Sequence, residues 1–523
     1  MRSVAVLVCA AVLVSASAGA QTAPVSAPAG PLTLEQVLQL AEARSESIAI
    51  ARAGIQRAEG DQVRARSGLF PQLSATASYD RTLATEFDGL FDTVEVAPVE
   101  EPDPDAPADD GGLDNLPFGR ANTWRLGLAF SQRLWDGGRV RALQSQALAG
   151  YETAGIGLTT ARAQLLFDVT QAYYNAALSD RLVAIAEATV GQASATLQQT
   201  EAGFRAGTQP EFEVLRARVS RDTQNPNLIR QRVNRDIALL RLKQLLDLPA
   251  DYELQLAEGL ADDVLAPAPV FAARVTAIEQ AVSGGNVMQV ALDTTAPVDD
   301  RAAVKEVATT VSLREAALAL VKAQRMPNVA FNSAYGRNAY PANFLPRFDR
   351  VNWTVGVSLQ VPILTGGRQR GDEMVATADL EQTRVRLRQV QELAALDTRS
   401  AWAELVAARA TWEATAGTVQ QANRAFELAG IRYQAGVSTQ LELSDSRLLL
   451  QQAEANRAQA GRDLQVARAR VALLPDLPIG TAPSGGQLQF AAPTPSQQTP
   501  QTGGTPLRNA TTQGGTQQFG GQQ

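Results

Sequence analysis

Two stretches decide the fold: WRLGLAFSQRLWDGGRVR at residues 124–141 and WTVGVSLQVPILTGGRQR at residues 353–370. Each begins with alternating apolar residues. Trp124, Leu126, Leu128 and Phe130 share one face of the first, and Trp353, Val355, Val357, Leu359 and Val361 one face of the second. A period of two is the mark of a strand with unlike faces. Each stretch then reaches Gly-Gly-Arg and passes into a long run without Pro, rich in Ala and Gln. The pattern predicts a strand, a sharp junction at Gly137-Gly138 or Gly366-Gly367, and a helix, twice over.

The match continues at one constant offset of 229 residues. Arg141 falls on Arg370, Tyr173 on Trp402, Gln192-Ala193 on Gln421-Ala422, and Phe204-x-Ala206-Gly207 on Tyr433-x-Ala435-Gly436. Glu213 then falls on Glu442 and Arg218 on Arg447. An unbroken offset over about 95 residues predicts two structural repeats without insertions, as rigid helical registers require. Upstream, Phe70-Pro71-x-Leu73 matches Met326-Pro327-x-Val329 and Tyr79-x-Arg81 matches Tyr335-x-Arg337, now offset by 256. The first copy therefore carries 27 more residues between Tyr79 and Trp124, within which the acidic, Pro-rich segment 86–114 reads as a solvated loop.

Each copy opens with a helix running into proline, Leu34 to Leu69 before Pro71 and Arg301 to Met326 before Pro327. A first strand follows: apolar residues at Leu73, Ala75, Ala77 and Tyr79 alternate with Ser74, Thr76, Ser78 and Asp80, and Val329, Phe331 and Tyr335 mark its counterpart. Two hairpins result, four strands in all, of a length that suits tilted membrane-spanning strands. The same alternation suits a half-buried soluble sheet, and period alone does not separate the two. Four strands do not close a barrel, for which roughly eight is the working minimum. Sheet edges are not tolerated in lipid, so membrane strands here require several chains, and three chains would give twelve strands.

The helical runs are predicted over Arg139 to Phe204 and Arg368 to Tyr433, each roughly 100 Å long at about 1.5 Å per residue. Ala147, Ala154 and Ala161 recur every seven residues, a small-residue seam that lets helices approach closely. Gly150, Gly155 and Gly157 predict a bend in the first run. Turns at Ala206-Gly207-Thr208-Gln209-Pro210 and Ala435-Gly436-Val437-Ser438-Thr439 lead into returning helices, Glu211 to Leu246 and Gln440 to Leu474, the first of which Pro226 is expected to break or kink.

The division expected is a signal peptide at 1–20, a first repeat at 21–249, a linker at 250–300, a second repeat at 301–474 and a disordered Gln/Gly/Thr/Pro-rich tail at 475–523. Arg2, the apolar stretch Val4 to Val14 and the ending Ala18-Gly19-Ala20 form the charged, hydrophobic and cleavage regions of a secretory signal. The apolar stretch is short for a membrane anchor. Cys9 is no lipoprotein cysteine, since Val8 precedes it and the leader before it is too short.

Composition removes whole classes of chemistry. The chain has no histidine, so histidine bases, serine triads and histidine-ligated metals are excluded. Cys9, the one cysteine, lies in the segment expected to be removed, which leaves no disulfide or thiol site. Missing disulfides suggest the cytosol, but the leader outweighs that. With a net charge of −7 and no basic run, nucleic acid is not an expected partner. Neither a phosphate-binding loop nor any other cofactor site is evident, since Lys243, Lys305 and Lys322 do not follow glycine. No metal site is expected, and no enzyme.

LTLEQVLQLAEARSESIAIARAGIQRAEGDQVRARSGLFPQLSATASY, the two Gly-Gly-Arg junctions, and the tips FRAGTQPEFEVLRAR and YQAGVSTQLELSDSR together resemble the TolC family of outer-membrane efflux and secretion proteins, over residues 31–474. The resemblance implies a mainly α protein with a membrane β-barrel. Four strands per chain contribute to a trimeric 12-stranded barrel, above a long periplasmic α-helical barrel of antiparallel helices. It implies a homotrimer held in outer-membrane lipid, docking through its tips on a periplasmic adaptor (membrane fusion) protein. The adaptor links it to an inner-membrane transporter of RND, ABC or MFS type. The duct would pass substrates of a tripartite efflux or type I secretion system to the exterior and catalyse nothing. The rival reading is a periplasmic coiled-coil adaptor or scaffold, which explains the helices but not two symmetric amphipathic hairpins.

The resemblance also assigns roles. Tyr433 matches the tyrosine that ties neighbouring helices shut, and Glu213 its acidic partner. Glu442 and Asp445 match positions of acidic rings in the constriction. Spaced i and i+3, they would share a helix face, and three copies would set six carboxylates around a pore, favouring cations and sensitive to divalent ions. Ser438 replaces an arginine lock found in some members, implying a closed state held less firmly. Gly207, Thr208, Gly436 and Val437 mark the tips that would meet the adaptor.

Overall fold

The computed structural model describes residues 30–84, 122–257, 259–260, 265–283, 298–341, 348 and 350–480. The signal-peptide segment 1–20, the loop 86–114, residues 284–297 of the linker and the tail from 481 lie outside the described residues.

The chain opens with α1 (Leu34–Arg44) and α2 (Glu46–Ser67). The single helix expected over Leu34 to Leu69 is thus divided, and Ser45 divides it. Its backbone is extended (φ −61°, ψ 122°), its N–H closes α1 on the Ala41 carbonyl, and its hydroxyl accepts the Ile48 N–H of α2. A serine both ends one helix and caps the next because its oxygen replaces the partner that the first-turn amides lack. Thr33 and Gln36 form a reciprocal capping box on α1.

Strands β1 (Gln72–Arg81), β2 (Asn122–Trp135), β3 (Asn328–Ala339) and β4 (Arg350–Gln360) make one antiparallel sheet in the order β1-β2-β3-β4. The two predicted hairpins therefore lie side by side, joined through β2 and β3. The register sets Leu73 opposite Phe130, Tyr79 opposite Trp124, Leu128 opposite Tyr335, and Phe331 opposite Val357. Ser74, Thr76 and Ser78 lie opposite Ala129, Gly127 and Arg125 on the other face. One face of the sheet is mostly apolar, interrupted in β3 by Ser333 and Arg337, and the other mostly polar. The apolar face is bare: Leu73, Trp353, Val357 and Leu359 are 65–71% exposed. Each outer strand, β1 and β4, has a hydrogen-bonded neighbour on one side only among the described residues.

Helix α3 (Arg139–Arg205) and α4 (Glu211–Leu245) follow β2. After α5 (Pro269–Ser283), a short 3-10 turn and α6 (Ala302–Ala323), β3 and β4 lead into α7 (Arg368–Gln434) and α8 (Gln440–Leu473). The starts of α3 and α7, and of α4 and α8, are separated by the same 229 residues, and α3 and α7 are each 67 residues long. Both helices are continuous through the residues expected to weaken them. Gly150, Gly155 and Gly157 do not interrupt α3, and Pro226 does not break α4, which runs through it unbroken. Proline removes one amide donor and leaves the carbonyl of residue 222 unpaired. Both Asp222 and Pro226 are exposed, so the helix carries this missing bond at the surface of the chain rather than in a core.

The largest core lies where α1, α3, the end of α4 and the end of α8 meet, around Tyr173, Val169, Leu242, Leu246 and Ala469. The Tyr173 hydroxyl, fully buried, donates to the Leu32 carbonyl at 3.2 Å. Residues of the region expected as a linker belong to this core: Leu254, Leu260, Phe271 and Val275 are buried in it, and α5 is helical. The packed chain also runs past residue 474, since Leu477 is buried and the Pro475 carbonyl accepts from Ala302 N–H at 2.8 Å. Beside this region Arg301, 4% exposed, pairs with Asp397 at 2.8 Å, and Arg470 reaches the other Asp397 oxygen at 3.0 Å. A second core joins α7 and α8 through Ala401, Leu405, Trp412, Leu464 and Val471, with the Arg457 guanidinium 4.0 Å over the Trp412 ring.

Candidate functional site

Both long helices end in the same turn, for the same reason. At the end of α3 the Thr208 N–H returns to the Gly203 carbonyl and the Gly207 N–H to Phe204. At the end of α7 the Val437 N–H returns to Arg432 and the Gly436 N–H to Tyr433. This doubled closure needs a left-handed residue just past the helix, and Gly207 and Gly436 both take φ 74°. The four tip residues Gly207, Thr208, Gly436 and Val437 are thereby set at the two turns, where Val437 is exposed. Pro210 then begins α4 as its N-cap, and the Thr439 hydroxyl caps α8 by accepting Glu442 N–H at 3.4 Å.

At the far end of the long helices, Gly137, Gly138, Gly366 and Gly367 all have positive φ. Gly137 is the constrained one, because a Cβ there would lie 2.2 Å from Met326 Cβ. Asp136 caps the start of α3, accepting the N–H groups of Gly138 and Val140 at 3.0 and 2.7 Å.

The structure does not join Tyr433 to Glu213. The Tyr433 hydroxyl lies 3.2 Å from Thr200 Oγ1 on α3, a residue that is 1% exposed. Glu213 lies 4.0 Å from Arg216 and, on its other oxygen, faces Gln440 of α8. With its amide nitrogen toward that carboxylate, Gln440 donates to Glu213 Oε2 at 2.9 Å, and its oxygen accepts Ala217 N–H at 3.2 Å. The reason is register: Gln440, the first residue of α8, is 2% exposed against α4.

The two predicted acidic-ring residues also differ from each other. Glu442 accepts from Ser438 Oγ at 2.8 Å through one oxygen and pairs with Arg432 Nη1 at 3.1 Å through the other. Asp445 is exposed and makes no hydrogen bond or ion pair among the described residues. Ser438, at the arginine-lock position, thus serves Glu442, and Arg432 supplies the cation from within the same hairpin.

Sequence reasoning missed Thr200, Arg432, Gln440, Ser220 and Arg447. The Arg447 guanidinium, 8% exposed, donates to Ser220 Oγ at 2.9 Å, and burial lowers its pKa from the ordinary arginine value. The available signal was the seven-residue spacing Gln440/Arg447 facing Glu213/Ser220, one stripe on each returning helix. A small apolar cluster of Leu197, Val214 and Ala217 lies beneath.

Among the described residues no cluster of three or more acidic residues is placed to hold a metal, and no helix is long and apolar enough to cross a membrane.

Comparison with known proteins supplies a context for this arrangement. The description "Outer membrane efflux protein" matches residues 37–247 and 299–474. The pyoverdine export outer membrane protein OpmQ of Pseudomonas putida is 24% identical over 477 residues, covering 88% of this chain and 87% of its own. Among solved structures, the outer membrane protein VceC of Vibrio cholerae aligns with a TM-score of 0.63 at 18% identity, covering 84% of this chain and 96% of that one. The MtrE outer membrane channel of Neisseria gonorrhoeae, solved in its open state, aligns with a TM-score of 0.63 at 18% identity, over 85% of this chain and 89% of that one.

Proposed function

Because this chain belongs to the outer membrane efflux protein family, and so is a bacterial outer-membrane efflux channel of TolC type rather than an enzyme, we propose that three copies of it form one exit duct. The carrying observation is the four-stranded sheet with a bare apolar face and two single-neighbour edges. An apolar face of that extent is stable against lipid and not against water. Open edges are equally costly in lipid, so the sheet closes on sister chains, and three copies give a barrel of twelve strands. The polar face lines the lumen. Two repeats of strand pair, long helix and returning helix, the first at 21–249 and the second at 301–474 with residues 250–300 between them, then continue the wall into the periplasm as a helical barrel. Residues 1–20 direct export.

The tips at Gly207-Thr208 and Gly436-Val437 dock on a periplasmic adaptor, which connects the duct to an inner-membrane transporter as part of a tripartite or type I system. Tyr433, Glu213, Glu442, Asp445 and Ser438 line or hold the aperture at that end. The relative OpmQ is a pyoverdine export outer membrane protein, which favours export through an efflux system as the role of this duct. Purified in detergent and added to a planar bilayer, the protein is expected to insert with discrete conductance steps. A protein that stays soluble without detergent and never conducts would sink the reading in favour of a periplasmic scaffold.

A further inference from the structure

The apolar face of the sheet carries a cation that its neighbours do not call for. The register places Arg337 of β3 in one row with Ala77, Leu126 and Val351, so apolar residues flank it on both sides. Arg337 is exposed, and its Nε–H donates at 2.9 Å to the hydroxyl of Tyr335, two residues back on the same face. The Tyr335 ring meets Trp353 edge-on with centroids 6.4 Å apart, and the Trp353 indole N–H donates to Ser333 Oγ at 3.1 Å. The first hairpin repeats the pattern as Tyr79-x-Arg81: the Tyr79 ring lies 4.7 Å from Trp124, and Arg81 ends β1 on the same face. Neither arginine has a carboxylate partner among the described residues. The register sets no Asp or Glu on this face of any of the four strands. Both arginines lie toward the hairpin ends, away from the helices, since β1 and β3 leave α2 and α6 while β2 and β4 enter α3 and α7.

From this we infer that Arg337, steered by Tyr335, binds the phosphate of an anionic lipid in the outer leaflet of the membrane. The inference rests on the reading of the chain as a duct, which sets this face against lipid and this end outermost. An unpaired guanidinium is costly in hydrocarbon, and the cost falls away near the headgroups. Tyr and Trp are the side chains that settle at that boundary. Tyr335 and Trp353 therefore place Arg337 at headgroup level, where lipid phosphates are the anions within reach. A guanidinium offers phosphate two parallel N–H groups on one rigid plane. The bond to Tyr335 uses Nε alone, which leaves the four Nη hydrogens without a partner among the described residues. Beside them Leu126, Val351 and Val355, 40–61% exposed, offer acyl chains an apolar wall. A lipid phosphate thus meets both a cation and a wall, whereas free phosphate meets only the cation. Arg81 adds a second charge per chain on the same face, uncompensated by any acid there. Arg337 is the binding residue, and Tyr335 a positioning residue.

The test is lipid titration of the full-length protein, followed by native mass spectrometry from detergent, which reports chain number and bound lipid in one spectrum. The probes are a bisphosphorylated lipid A, a neutral diacyl glycolipid and inorganic phosphate. The phosphorylated lipid is expected to add to the three-chain species at concentrations where the neutral lipid adds little and inorganic phosphate does not stay bound. Arg337→Met suits an apolar face and so should fold. It is expected to weaken uptake of the phosphorylated lipid by about tenfold, the order of one hydrogen-bonded contact to a charged group, and to leave the neutral lipid unaffected. Arg337→Lys, which keeps the charge without the planar fork, should fall between the two. Tyr335→Phe, which releases the guanidinium, should cost less than Arg337→Met. Arg125→Gln removes an equal charge from the polar face, where Arg125 pairs with Asp80, and should change nothing. Wild-type uptake in a three-chain Arg337→Met, an equal loss in Arg125→Gln, or equal uptake of the neutral lipid would each overturn the inference and leave the duct intact. Retention of inorganic phosphate in place of the lipid would show a bare anion site and overturn it as well. A wild type that is a folded single chain would overturn the duct and the inference together.

Discussion

Tyr433 and Thr200 meet hydroxyl to hydroxyl, 3.2 Å apart, across the last turns of two helices that begin 229 residues apart in sequence. Thr200 is held in place by its own bond to the Thr196 carbonyl at 2.8 Å. The contact joins α3 to α7, the long members of the two hairpins, as Gln440 and Arg447 of α8 meet α4, the returning ones. Two separate contacts thus cross between the hairpins near the tips, and the proposed gate has both to draw on. Tyr433→Phe alone is expected to raise conductance modestly, by about the fivefold that one hydrogen bond represents. Tyr433→Phe combined with Glu213→Ala, which weakens contacts on both helix pairs, is expected to raise it well beyond either single change. Unchanged conductance in the double variant would remove both residues from the gate.

Charge selectivity should divide unequally between the two acidic residues. Glu442 is partly neutralised by Arg432, whereas Asp445 is exposed and without a partner among the described residues. Three Asp445 carboxylates around a pore favour cations. Reversal potentials in a salt gradient are expected to lose most of their cation preference in Asp445→Asn and less in Glu442→Gln. Arg432→Gln should move the potential the other way, toward stronger cation preference. An unmoved potential in Asp445→Asn would refute the ring.

The ion pair of Arg301 and Asp397 is a stability element rather than part of the gate. Both partners are buried, and removing one leaves an uncompensated charge, which costs about 3–5 kcal/mol. Asp397→Ala, which leaves the buried Arg301 without a carboxylate while Arg470 keeps Glu404, is expected to lower the thermal midpoint in detergent sharply. The double change Arg301→Met with Asp397→Leu should cost much less than Asp397→Ala. A double variant as unstable as the single would show that the pair is not what holds α6 to α7 and α8.

Gly137 and Gly138 separate two kinds of glycine requirement. Both have positive φ, but only Gly137 has a neighbour in the space of a Cβ, at 2.2 Å from Met326. Gly138→Ala is expected to cost about 1–2 kcal/mol of backbone strain. Gly137→Ala should cost more, and the yield of folded protein in the membrane fraction should fall in that order. Equal yields would contradict the close approach seen at the junction.

The parts of the fold legible in the sequence were those where periodicity and glycine speak together. The alternation at Trp124 to Phe130 and Trp353 to Val361, followed by Gly-Gly-Arg, marks the starts of α3 and α7 to the residue and locates β2 and β4, though β2 runs on to Trp135 and β4 begins at Arg350. The break at Ser45 was missed because one serine in an amphipathic run looks like any exposed helix position until its hydroxyl is seen capping Ile48. Pro226 misled in the other direction, since local propensity does not show that it falls on an exposed stretch of α4. Side-chain partners were the least legible. Glu213 reads as a carboxylate in search of Tyr433, and only the packing of α8 on α4 sets the Gln440 amide beside it within the chain. The buried Arg447 was hidden for the same reason: in sequence it is one of many arginines, and its burial comes from a helix of the other repeat.

Every element of the account depends on β1 and β4 finding partners in sister chains. Native mass spectrometry of the detergent-solubilised protein tests this most directly. The expected result is a single species of three chains that falls to one chain only on heating or denaturation. A folded, stable monomer whose four strands keep their structure without a partner would contradict it.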